Sequence, residues 1–119
     1  MVNITYKYND LEEAKALTPV VDSKLQMLQK FVSEEASVLC EVEFEKVSPQ
    51  HTGAIFRFKV NTTIDGKLYR AEAVEDSFEK AIDEVRSELD KELRRAKGKQ
   101  SSIFMRASRK LKESLFRNQ

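Results

Sequence analysis

Residues 69–99 read YRAEAVEDSFEKAIDEVRSELDKELRRAKGK. The stretch opens as a strand and turns into one long amphipathic helix. Phe78, Ile82, Val85, Leu89, Leu93 and Ala96 recur at spacings of four, three, four, four and three. That pattern is the single apolar stripe of a helix lying on a core. Asp76 or Ser77 is placed to cap its start. Glu79, Asp83 and Glu84 occupy the first turns, whereas Lys91, Arg94, Arg95, Lys97 and Lys99 crowd the end, and Gly98 is the expected stop. The helix dipole favours this charge order, and favourable contacts of this kind stabilise a helix by about 0.2–0.5 kcal/mol each. Helix stabilisation alone does not explain why basic residues continue to Arg117.

A chain of 119 residues, 40% hydrophobic and 34% charged, fits one domain with enough core to fold by itself. Its formal net charge of +1 conceals a polarity. Residues 1–90 carry 11 Lys/Arg against 18 Asp/Glu, a balance of −7, and residues 91–119 carry 10 against 2, a balance of +8. A basic end on an acidic body suits a polyanionic partner, the acidic part limiting indiscriminate binding. The single cysteine, Cys40, excludes an intramolecular disulfide and sits in an alternating apolar run, where a buried thiol is expected. No signal peptide and no membrane-length apolar run is visible, so a cytoplasmic protein with no membrane-spanning segment is expected, and no membrane partner is expected for its folded body.

The remaining elements follow in order. Val2, Ile4, Tyr6 and Tyr8 alternate with Asn3, Thr5 and Lys7, a first strand with one buried face. Asp10 and Glu13 have capping-box spacing ahead of a helix from Leu11. Pro19 interrupts that helix, so Thr18 is expected to cap a main helix over about 18–31, with 11–17 as a preceding or kinked turn. Val38, Cys40, Val42 and Phe44 face one way and Glu41, Glu43 and Glu45 the other. After a polar turn over 48–53, Ala54, Phe56, Phe58 and Val60 are expected inward, with Arg57 and Lys59 outward. Facing glutamates and cations on these strands predict a charge ladder on the solvent side. Asp65-Gly66 signals a tight hairpin, and a fourth strand over about 67–73 leads into the long helix. The order β-α-β-β-β-α is an α+β fold: a four-stranded sheet with two helices packed on one face. The expected domains are 1–99, the α+β body, and 100–119, a basic amphipathic tail. In that tail Ser102 is a candidate cap for a helix carrying Phe104, Ala107, Leu111 and Leu115 on one side. Arg106, Arg109, Lys110 and Lys112 are spread over the rest. Three fates compete for it: a membrane surface, its own domain, or nucleic acid.

Catalytic material is scarce. One His and one Cys cannot make the usual Cys/His zinc site, and three glycines provide no phosphate-binding loop. His51 lies in a polar turn, where a plain loop residue is the ordinary reading. The carboxylates fall on solvated faces of strand and helix. The chain therefore reads as no enzyme, with no cofactor, no metal and no small-molecule substrate.

Several stretches carry a family resemblance: Asn3-Ile4-Thr5, Lys24-Leu25 with Leu28 and Phe31, and Glu75-Asp76 with Ala81-Ile82-Asp83. The run Leu89-Asp90-Lys91-Glu92-Leu93-Arg94-Arg95-Ala96-Lys97 continues it. Over about residues 1–99 the chain resembles the ribosome hibernation promoting factor and ribosome-associated inhibitor A family, also called sigma-54 modulation proteins, in its short form. The resemblance implies a protein seated in the small ribosomal subunit, on its rRNA, where messenger and transfer RNA bind. There it would block translation in resting, stationary-phase or stressed cells, and be monomeric off the ribosome. The family's rRNA-contacting positions fall on Lys24, Lys91, Arg94, Arg95, Lys97 and Lys99, and the tail adds Arg106, Arg109 and Lys110 as candidates. Glu88 and Met27 stand where some members carry basic residues, and Phe78-Glu79 replaces a usual Met-Tyr pair. The chain is also shorter than the forms bearing an additional dimerisation domain.

Two other readings fit the pattern. A double-stranded-RNA-binding module has a related order of elements but a basic start to its last helix, where this chain is acidic. A protein–protein regulator, such as a transcription-factor modulator, would use the acidic strand face.

Overall fold

In the computed structural model of the protein, residues 2–9, 11–33, 35–50 and 52–96 are described. The chain runs through β1 (Val2–Lys7), α1 (Glu12–Lys15) and α2 (Thr18–Gln26), which tightens into a 3-10 turn over Met27–Phe31. Then come β2 (Val38–Lys46), β3 (Phe56–Ile64) and β4 (Lys67–Glu75). A final helix, α3, covers residues 78–96. The sheet order is β1-β2-β3-β4, with β1 and β2 parallel and the other pairs antiparallel. This is the α+β arrangement expected from the sequence.

Strand alternation creates the core. Val38, Cys40, Val42 and Phe44 of β2, and Phe58, Val60, Thr62 and Ile64 of β3, are buried on one face of the sheet. The α3 stripe of Phe78, Ala81, Ile82, Val85, Leu89 and Leu93 closes over them together with Val21, Leu25 and Leu28. Phe44 anchors the end where α3 begins, with its ring 5.0 Å from that of Phe58 and 5.2 Å from that of Phe78. Burial pushes the Cys40 thiol pKa up, and its Sγ lies 3.6 Å from Thr62 Oγ1, so the thiol is a packed core group.

Local chemistry accounts for the boundaries. Ser77 caps α3, its Oγ accepting the Lys80 N–H at 3.2 Å. Asp65 and Gly66 have φ of 50° and 80°, the double left-handed geometry of a two-residue primed turn. Three expectations need correction or fall elsewhere. Thr18 is the first residue of α2 rather than its cap: Leu17 takes the cap position, and the Thr18 hydroxyl meets the Tyr8 hydroxyl at 2.6 Å. Ala54 is exposed and Ile55 buried, because Gly53 (φ 96°) turns the chain and Ile55 N–H returns to the Gly53 carbonyl, shifting the phase before β3 begins. Glu13 pairs with Lys46 Nζ at 3.0 Å and Leu11 occupies the α1 cap position without a side-chain bond, while Asp10 lies outside the described residues. His51, Gly98 and the whole tail also lie outside them.

Candidate nucleic-acid interface

The second half of α3 carries the basic residues, and helical geometry distributes them over an arc. One flank of α3 faces α2. There Asp83 pairs with Lys24, Arg86 Nε reaches Met27 Sδ at 3.2 Å, and Asp90 pairs with Lys30 at 3.5 Å. The opposite flank faces the end of β4, where Glu75 holds the neighbouring Glu84 carboxyl above the ordinary range. At 100° per residue, Arg94 falls on the α2 flank, Lys91 on the crest and Arg95 towards β4.

Their electrostatic situations differ. Arg94 Nε donates to Asp90 Oδ2 at 2.7 Å, and its guanidinium lies 5.8 Å from the centre of the Phe31 ring. Lys30 stands over the same ring at 5.1 Å. Arg94, and after it Lys30, holds the Asp90 carboxyl below the usual carboxylate range. Lys24 is committed to Asp83. Lys91 and Arg95, by contrast, have no carboxylate within ion-pairing distance among the described residues. They border a shallow groove of about 390 Å³ shared with Glu84, Ser87, Glu88 and Glu92. Of the four described candidates, they are the two that can meet an external anion without first breaking a bridge.

Four of the nine sequence candidates are thus described: Lys24, Lys91, Arg94 and Arg95. All four lie on or against α3. Lys97, Lys99, Arg106, Arg109 and Lys110 lie outside the described residues. Sequence reasoning missed Lys30, which folding brings to the same Asp90 as Arg94. Its one local signal is its place beside Phe31 at the end of the first helical segment.

The bare sheet face has a different character. Arg57 Nη1 reaches Glu45 at 3.1 Å, and its Nη2 and Nε lie 3.0 and 2.9 Å from the two carboxylate oxygens of Glu72. Lys59 lies 3.8 Å from Glu43. Arg57 holds the Glu72 carboxyl below its ordinary range. Cross-strand register puts Lys7, Glu43, Lys59 and Glu72 in one row across all four strands. The ladder expected from the sequence is present, and it neutralises most of the acidic strand face. A regulator needing that face as a free anionic surface is therefore disfavoured. No group of residues suited to a metal ion occurs among the described residues, and no described helix is long and apolar enough to cross a membrane.

A family model described as sigma 54 modulation protein / S30EA ribosomal protein matches residues 2–101. The chain belongs to this family. No curated protein matches the sequence. Among solved structures, it is similar to the Protein Y N-terminal domain of Thermus thermophilus, with 19% identity and a TM-score of 0.62. That match covers 79% of this chain and 96% of the other. A ribosomal subunit interface protein from Coxiella burnetii is similar at 18% identity and a TM-score of 0.59, over 82% and 99% of the two chains. At these identities the likeness concerns the fold. The S30EA family match spans β1 to the end of α3, so the whole described body belongs to the family fold.

Proposed function

We propose that the protein is a ribosome hibernation factor that binds the small ribosomal subunit through its rRNA, in the channel used by messenger and transfer RNA, and so stops translation. Membership of the S30EA ribosomal protein family supports a ribosomal partner, and the similar Coxiella burnetii chain is a ribosomal subunit interface protein. The observation that carries the rRNA reading is the exposed, unpaired pair Lys91 and Arg95 beside Arg94 at the end of a rigid helix. Folded RNA offers phosphates in irregular grooves, and cations on a rigid helix neutralise them without reading base sequence. Lys24, Lys97 and Lys99 extend the contact. Residues 1–99 are the docking body, and residues 100–119 a basic tail whose Arg106, Arg109 and Lys110 add phosphate contacts.

Arg94 and Lys24 must exchange Asp90 and Asp83 for phosphates, or keep them and contribute little. Exposed pairs are worth only about 0–1 kcal/mol, so the exchange costs little. A stationary-phase lysate separated on a sucrose gradient, with immunodetection of this protein, tests the reading. The protein should travel with 30S-containing particles. Recovery only at the top of the gradient, at low salt, contradicts it.

A further inference from the structure

The outer edge of β4 is the feature that the ribosome-binding reading leaves unused. β4 terminates the sheet, and no strand pairs with its outer side among the described residues. Its pairing with β3 runs without a bulge from Ile64↔Lys67 to Phe56↔Glu75, and it contains no proline. Natural edge strands are blunted by bulges, proline, shortness or charged side chains, because an open row of N–H and C=O groups recruits another strand, and of these β4 carries only the charges, at Lys67, Arg70, Glu72 and Glu75. Here nine residues stay open, and Leu68 and Val74 are among the exposed large hydrophobics at 54% and 38%.

The turn fixes which backbone groups point outward. In a two-residue hairpin the pair flanking the turn, Ile64 and Lys67, exchanges both of its hydrogen bonds. Alternation then directs the N–H and C=O groups of Leu68, Arg70, Glu72 and Val74 away from β3. An added antiparallel strand must bond to these four residues.

We propose that β4 pairs with β4 of a second copy of this chain, antiparallel about Ala71, forming a continuous eight-stranded sheet. The sequence KLYRAEAVE is complementary to its own reverse in this register. On the bare face Arg70, whose Nε donates to Asn61 at 3.0 Å within its own chain, meets Glu72 of the second copy, which also holds Arg57, and Leu68 meets Val74. On the helix face Lys67 meets Glu75, and Tyr69 meets Ala73. Every outward N–H and C=O finds a partner, since the residues that point outward fall opposite one another. Shifting the two-fold axis by one residue either way sets Arg70 against Arg70 or Glu72 against Glu72, and like charges directly opposed destabilise a sheet. One register is therefore selected.

Glu75 supports this choice independently. It sits beside Glu84 and holds that carboxyl above the ordinary range. The register brings Lys67 of the second copy to Glu75, supplying a cation to an acidic pair that has no ion-pair partner among the described residues. The contact is one strand wide, which suits a weak, reversible dimer rather than an obligate one. It modifies the expectation that the free protein is only a monomer.

Charge complementation tests the proposal. Sedimentation velocity of the full chain, from about 10 µM to about 1 mM, should show a concentration-dependent monomer–dimer equilibrium. Arg70→Glu and Glu72→Arg should each weaken association about tenfold or more, by opposing like charges in both symmetric pairs. An equimolar mixture of the two variants should associate again, because each restores the opposite charges in the other. Leu68→Lys, remote from the Arg57 network, should also weaken the dimer and serves if Glu72→Arg fails to fold. A native chain that stays monomeric throughout, or variants that associate as the native chain does, would overturn the proposal. A mixture of folded variants no better than either alone would do the same.

Discussion

Asp90 and Arg94 lie one turn apart on α3 with carboxylate oxygen and guanidinium nitrogen 2.7 Å apart, and this bridge holds one basic residue of the proposed rRNA surface against the protein. The same carboxylate reaches Lys30 across the groove between helices. Asp90 thus restrains two cations at once. Asp90→Asn removes the charge while keeping the shape, and it should raise ribosome affinity about two- to tenfold at low salt by releasing Arg94 and Lys30 to phosphate. Filter binding to isolated 30S subunits measures the change, and weaker binding would show that Asp90 orients Arg94 instead of restraining it.

The pH dependence of this bridge has a definite sign. Arg94 lowers the folded-state pKa of Asp90, so the bridge contributes to stability above the unfolded-state value near 4. That contribution is lost as the pH falls through the folded-state pKa. Native protein should lose more stability than Asp90→Asn between about pH 5 and about pH 2, as read by thermal melts in low salt. Parallel losses would show that the bridge adds nothing to stability.

The core carries its own test. Ile82 and Leu89 are 2% and 0% exposed beneath the sheet, so Ile82→Ala or Leu89→Ala should each cost about 2–5 kcal/mol in urea denaturation. A nearly neutral result for either would mean that the α3 register is wrong.

The hairpin turn is a smaller, sharper case. Gly66 has φ of 80°, and a Cβ built there meets nothing within 4 Å. Gly66→Ala should therefore be destabilising through backbone strain alone, by about 1–2 kcal/mol. Chemical denaturation of the two proteins checks it, and equal midpoints would argue against the primed turn.

Much of this was legible in the residues because the relevant forces are local. The α3 stripe, the alternating strands and Asp65-Gly66 each announce an element within a few residues, and the facing charges of β2 and β3 foretell the Arg57 and Lys59 bridges. What escaped depends on neighbours distant in sequence. Leu17 takes the cap position of α2, and the Thr18 hydroxyl meets Tyr8, ten residues earlier in the chain. Gly53 turns the chain with a positive φ, and the inward phase passes from Ala54 to Ile55. Composition showed a basic helix end without showing that Asp83 and Asp90 occupy Lys24, Lys30 and Arg94. Only the folded chain separates these restrained cations from Lys91 and Arg95.

The tail requires a paired measurement. If residues 100–119 add phosphate contacts, truncation after Gly98 should leave the melting temperature nearly unchanged and speed dissociation from ribosomes, since a tethered basic segment slows release. A large thermal loss with an unchanged off-rate would instead place the tail's apolar stripe on its own domain. Leu93 and Ala96 already line a cleft of about 380 Å³ at that end.

The central claim is that the α3 end holds rRNA by its cations, and its most direct test is ribosome co-sedimentation of the Lys91, Arg94, Arg95 and Lys97 quadruple alanine variant across a salt series. The account predicts a folded protein that binds more weakly at every salt concentration. Its log–log salt slope should be shallower by a little under one unit for each phosphate that the variant no longer neutralises. Binding and slope equal to those of the native protein would contradict it.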